Sequence, residues 1–146
     1  MITRIVWRMS LCLLVAGCAL PGDQDLYERV EIAALECPDE PVDYATQVFP
    51  VLNTACGSCH GPPGLGGLTL SDESGVVTEE RMHSAIVDIP AVTSDKLLVL
   101  SGSEADSYFV DVLLQRDAPL MPQGGPPLSQ EDIQLVRCWV EQGAAP

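Results

Sequence analysis

Residues 56–60 read Cys-Gly-Ser-Cys-His, the pattern C-x-x-C-H. Two thiols at i and i+3 can reach the two vinyl groups of one porphyrin, and the histidine after them then lies under the iron. That spacing is the signature of covalent haem attachment, with Cys56 and Cys59 as thioether donors and His60 as the proximal iron ligand. A C-x-x-C pair also serves thiol redox chemistry or half of a zinc site. The redox reading expects a βαβ context that the sequence does not supply, and zinc needs further ligands.

An iron bound by one histidine has a sixth position to fill. Beyond the first residues the candidates are Met82, His83 and Met121. Met121 sits in Pro119-Leu120-Met121-Pro122, where a rigid loop can present a thioether without a helix beneath it. Met82 and His83 fall on an expected helix, where a methionine is usually core and a histidine usually solvated. Met121 is therefore the favoured ligand, with His83 and Met82 as rivals.

The elements that must position these groups are helical. Residues 42–55 lead into the motif, with Tyr44, Val48, Val51, Leu52 and Ala55 on one face. Asp43 is its cap, and Pro50 should kink it or start a second short helix. Residues 61–67 are loop by their glycines and prolines, and 68–70 could be a short extended piece. Further helices are expected over 78–87, 103–115 and from the cap Ser129 to Gly143. On the last, Trp139 should face the core or the haem edge. Residues 89–100 are apolar and assigned to neither strand nor loop.

The N-terminus addresses the compartment. Arg4 and Arg8 precede an apolar run over 11–16 that is too short to span a bilayer. Val15-Ala16-Gly17-Cys18 resembles a lipobox, which makes 1–17 a signal peptide and Cys18 a lipidated first residue. Ala19 lacks the aspartate of inner-membrane retention, which favours the outer membrane. Residues 18–41 then read as a tether with one short helix over 26–35, and 42–146 as a single domain. The net charge of −14 opposes nucleic acid and anionic lipid surfaces and suits solubility or a basic partner. Of six cysteines, Cys12 leaves with the signal, Cys18 takes lipid and two take haem. Cys37 and Cys138 remain, and an oxidising envelope lets them pair.

A helix, Cys56-Gly57-Ser58-Cys59-His60-Gly61, a Met-Pro loop and a closing helix ending Trp139-Val140-Glu141-Gln142-Gly143-Ala144 together resemble a monohaem class I cytochrome c. The likeness is closer to the planctomycete-type cytochrome c domain of exported bacterial proteins, and covers residues 42–145. It implies an all-α fold around one covalent haem c with its iron, Met121 as sixth ligand and a one-electron carrier role. Residues 64–100 depart from the smallest members as a loop-rich insertion after the haem motif, and Cys138 beside Trp139 is unusual among them. The expected protein is lipid-anchored on the periplasmic or cell-envelope side and needs redox partner proteins rather than a small-molecule substrate. A haem subunit of a partner oxidoreductase or peroxidase, a gas sensor, and a haem-free stapled lipoprotein are the alternatives. An independent enzyme is the weaker reading.

Overall fold

The structure, a computed structural model, describes residues 34–146. The expected signal segment, the expected lipidation residue Cys18 and most of the expected tether lie outside the described residues. The fold is all-α: four α-helices and no strand among the described residues. Isolated bridges (Val87 with Val99, Pro90 with Leu97, Leu100 with Ser103) brace the stretch between the second and third helices. None of the described helices is long and apolar enough to cross a membrane.

Asp43 caps the first element, its Oδ1 accepting from the Thr46 amide at 2.8 Å. A π-helical turn, Tyr44–Val48, runs directly into α1, Phe49–Cys56. Pro50 sits in the first turn of α1, where its missing N–H leaves no bond unmade. The proline therefore starts a helix here. α2 spans Glu79–Ile86 behind the cap Thr78, α3 spans Tyr108–Leu114, and α4 spans Gln130–Glu141 behind the cap Ser129.

α3 is shorter than the sequence suggests. Residues 103–106 form a turn instead, closed by Ser103 Oγ donating to Asp106 Oδ2 at 2.8 Å. Ser107 Oγ donates to the Ser103 carbonyl at 2.8 Å and accepts from the Leu100 amide at 2.8 Å. These side-chain bonds offer the backbone an alternative to helix. Expected helix likewise gives way at Leu35, which is not helical.

The core gathers Val48 and Leu52, Met82 and Ile86, Val110 and Leu113, and Ile133, Val136, Trp139 and Val140, one set from each helical segment. Trp139 stacks on Tyr44 with ring centroids 5.1 Å apart, and its Nε1 donates to the Ala145 carbonyl at 2.8 Å. Tyr44 is buried, and that burial, then the charge of Glu79, raises its phenol pKa.

Cys37 and Cys138 form a disulfide with their Cα atoms 5.3 Å apart. Residues 34–42 lie along α4 as a strap. Gln134 Nε2 donates to the Ala34 carbonyl at 2.8 Å, Gln142 Nε2 to that of Pro38 at 3.0 Å, and the Val42 amide to Gln142 Oε1 at 2.8 Å. The end of the expected tether thus belongs to the folded body.

A partly buried charge network joins α3 to α4. Lys96 Nζ meets Asp111 at 2.7 Å, Arg137 meets Glu104 at 2.9 Å, and Arg116 meets Glu104 at 3.4 Å. Arg116 Nε is 3.0 Å from Asp111 but off the line of a hydrogen bond, so that contact is Coulombic. Burial opposes the charge on Glu104. The hydrogen bond and charge of Arg137, with Arg116, prevail and hold its carboxyl below the ordinary value. A lowered folded pKa gives stability that is present above the ordinary glutamate pKa of about 4.3 and lost as pH falls through the folded value. Glu104→Gln should lose about 1–3 kcal/mol at neutral pH and show a shallower further loss on acidification. Urea midpoints on both sides of that pKa check this; a parallel acid loss in the two proteins would contradict it.

Candidate functional site

α1 delivers Cys56 as its last residue. The chain then turns, with the amides of Cys59 and His60 donating to the Cys56 carbonyl at 3.2 and 2.9 Å. The Leu70 amide returns to the His60 carbonyl at 2.7 Å. That bond closes residues 61–69 into a loop beside the histidine. Gly64 has φ +79°, and a Cβ there would lie 2.0 Å from Thr69 Oγ1. Only glycine allows that return.

His60 Nδ1 lies 3.4 Å from the Leu68 carbonyl oxygen. A carbonyl only accepts, so Nδ1 is the donor in this contact, and Nε2 is the nitrogen left to face a metal. Holding the outer nitrogen in this way is how proteins orient a metal-ligating imidazole.

A cavity of about 540 Å³ opens beside the motif, with Cys56 and His60 on its wall. Met121 and Pro119 line the same cavity. The Met121 loop hangs from α3, its amide donating to the Val112 carbonyl at 2.9 Å. α3 contributes Tyr108, Phe109, Val112 and Leu113, α2 contributes Arg81, Ser84 and Ala85, and Leu98 with Ile89, Pro90, Val92 and Thr93 adds further wall. The volume lies within the span of cofactor sites, roughly 300–1,000 Å³, and the lining is mostly apolar.

Burial, then the charge of Cys59, pushes the Cys56 thiol up to about 11. Cys59 is exposed and is not on the cavity wall. Three of the four expected groups therefore share one cavity, with the fourth on the turn beside it. This donor set fits a haem: a thiol on the wall, a second thiol three residues on, and an imidazole and a thioether lining the same space. Among the described residues no group of three or more His, Cys, Asp and Glu is gathered that could hold a metal ion by itself.

The rivals for the sixth position lie elsewhere. Met82 is fully buried in the core. His83 Nε2 is 2.8 Å from the Ala144 carbonyl, and its ring packs edge-on against Tyr44 and Trp139. Neither lines the cavity.

Of the two faces expected for Trp139, the structure has it in the core, together with Leu52 of α1, while Tyr108 and Val112 line the cavity. Sequence reasoning missed Arg81, Phe109, Ile89, Pro90, Val92 and Thr93. Arg81, Ser84 and Ala85 do recur at helical spacing, the one available signal. Nothing local marked Ile89, Pro90, Val92 and Thr93 as a wall.

No family model and no curated protein matches the chain. Among solved structures, a chain from Kuenenia stuttgartiensis hydrazine synthase is similar over 70% of this chain, at 23% identity and a TM-score of 0.46. The present chain spans 16% of the length of that one. At that distance the likeness carries no functional argument.

Proposed function

We propose that the chain is a monohaem c-type cytochrome that carries single electrons outside the cytoplasm. The observation that carries this reading is the meeting of Cys56, His60 and Met121 on one largely apolar cavity, with the outer nitrogen of His60 tied to Leu68. Cys56 and Cys59 would hold the tetrapyrrole, and His60 Nε2 and the Met121 sulfur would ligate its iron. A haem so bound supplies a one-electron ferric–ferrous couple, set towards higher potential by histidine–methionine ligation. Leu98, Phe109, Val112 and Leu113 give the site an apolar wall. No substrate pocket is needed for this role.

The partner is a redox protein with a basic docking surface. Of the described cations, Lys96, Arg116 and Arg137 are tied to Asp111 and Glu104, which leaves the surface dominated by carboxylates. Lipid on Cys18 would hold the protein at the envelope side of a membrane, the outer one favoured. Several acyl chains anchor firmly where one does not, so Cys18→Ser should move the protein from the membrane to the soluble fraction. An unchanged distribution would count against the lipid.

The test of ligation is spectroscopic. Oxidised wild type should show the weak near-infrared band of sulfur–iron ligation, and carbon monoxide should leave the reduced spectrum unchanged. Met121→Ala should abolish the band and admit carbon monoxide, whereas Met82→Ala and His83→Ala should keep it. A band that survives Met121→Ala defeats this assignment. Carbon monoxide binding by wild type would favour a gas sensor instead.

A further inference from the structure

α2 turns Arg81, Ser84 and Ala85 to the cavity, one helical turn apart. Arg81 is the one permanently charged side chain on the wall among the described residues. Its Nε donates to the Ser71 carbonyl at 3.0 Å and an Nη to that of Thr69 at 3.4 Å. These bonds fix the guanidinium where α2 meets residues 69–71, with further N–H groups left to donate.

Two of the neighbouring hydroxyls, those of Ser84 and Thr93, donate within the protein. Ser84 Oγ donates to the Arg81 carbonyl at 3.0 Å, and Thr93 Oγ1 donates to the Tyr108 hydroxyl at 2.9 Å. The protein's net charge is −14, and its other described cations are committed to Asp111 and Glu104. An anion entering this cavity therefore meets one cationic partner among the described residues. A guanidinium fork matches a carboxylate in both charge and geometry.

We propose that Arg81 anchors the carboxylate side chains of the bound tetrapyrrole, setting which edge of it faces the rim formed by α2 and residues 69–71. This rests on the haem reading. Arg81 is a positioning residue: it touches the acid groups of the cofactor, not its iron. Its cation disfavours the more positive ferric state and so raises the potential. It also keeps the paired carboxylate ionised, so that potential does not follow pH through the neutral range.

The experiment is a spectroelectrochemical titration of the haem-loaded protein across pH. Wild type should give a midpoint that is flat across the neutral range. Arg81→Gln should favour the oxidised form about tenfold, a fall of about 59 mV, and bring a pH-dependent step into that range. Arg81→Lys should retain more of the wild-type behaviour. Glu80→Gln, a charge change next to Arg81 and off the cavity wall, should shift the midpoint upward without adding a pH step. A wild-type midpoint that already slopes through the neutral range overturns the anchor without recourse to any variant. So does an Arg81→Gln curve that coincides with wild type or runs parallel to it. A wild-type protein with no haem spectrum overturns the haem reading, and the anchor with it.

Discussion

A Cys56→Ser/Cys59→Ser variant, exported in a cell that matures c-type cytochromes, will carry no covalently bound haem. A thioether forms when a thiol adds across a vinyl group, and a serine hydroxyl does not take that place. Any haem retained by His60 and Met121 would then leave on denaturation. The single variants separate the two sulfurs. Cys56 sits on the cavity wall and Cys59 on the exposed turn, so each alone should leave at most one thioether. His60→Ala should disturb iron ligation and spin state while both thiols remain. Covalent haem undiminished in the double variant would refute the attachment site.

Loss of the disulfide should be the largest purely structural effect. Cys37 and Cys138 are 101 positions apart in sequence. Constraining a loop of that length is worth about 4.7 kcal/mol by chain entropy, an upper figure because unfolded chains keep residual structure. Removal of native bridges measures about 2–5 kcal/mol. Cys138 is buried on α4, so alanine is the suitable replacement; a serine hydroxyl there would add an unpaired polar group. Cys37→Ala/Cys138→Ala should unfold at lower urea by that amount while its haem spectrum stays as wild type. The strap keeps its hydrogen bonds from Gln134 and Gln142, so it should loosen rather than detach. An unfolding midpoint equal to wild type would show that the bridge adds no stability.

What could be read from the chain was chemistry fixed by local spacing. C-x-x-C-H suggests a use on its own, because the reach of two thiols and one imidazole depends only on adjacent residues. Asp43 and Ser129 announced themselves as caps for the same reason, and both accept the amide three residues on. Cys37 and Cys138 followed from elimination. What escaped was settled by contacts distant in sequence. The salt bridge from Glu104 to Arg137 spans 33 residues. Together with the serine bonds around residues 103–107 it accompanies a turn where local propensity favoured helix. Apolar periodicity showed that Leu52, Met82 and Trp139 would be buried, but not against what. All three fill the core, and the cavity is walled instead by Phe109, Leu98, Ile89, Pro90, Val92 and Thr93. Which of Met82, His83 and Met121 shares a cavity with His60 is likewise a matter of contacts distant in sequence: of the three, Met121 lines it.

The central claim, one haem c on each chain, is tested most directly by intact mass under denaturing conditions. The protein would be purified from cells that mature c-type cytochromes, and a haem stain run on the same denatured sample. The account predicts a polypeptide heavier by one haem that stays with the chain through denaturation and colours the stained band. A polypeptide of unmodified mass, with any haem released to solvent on denaturation, would contradict it.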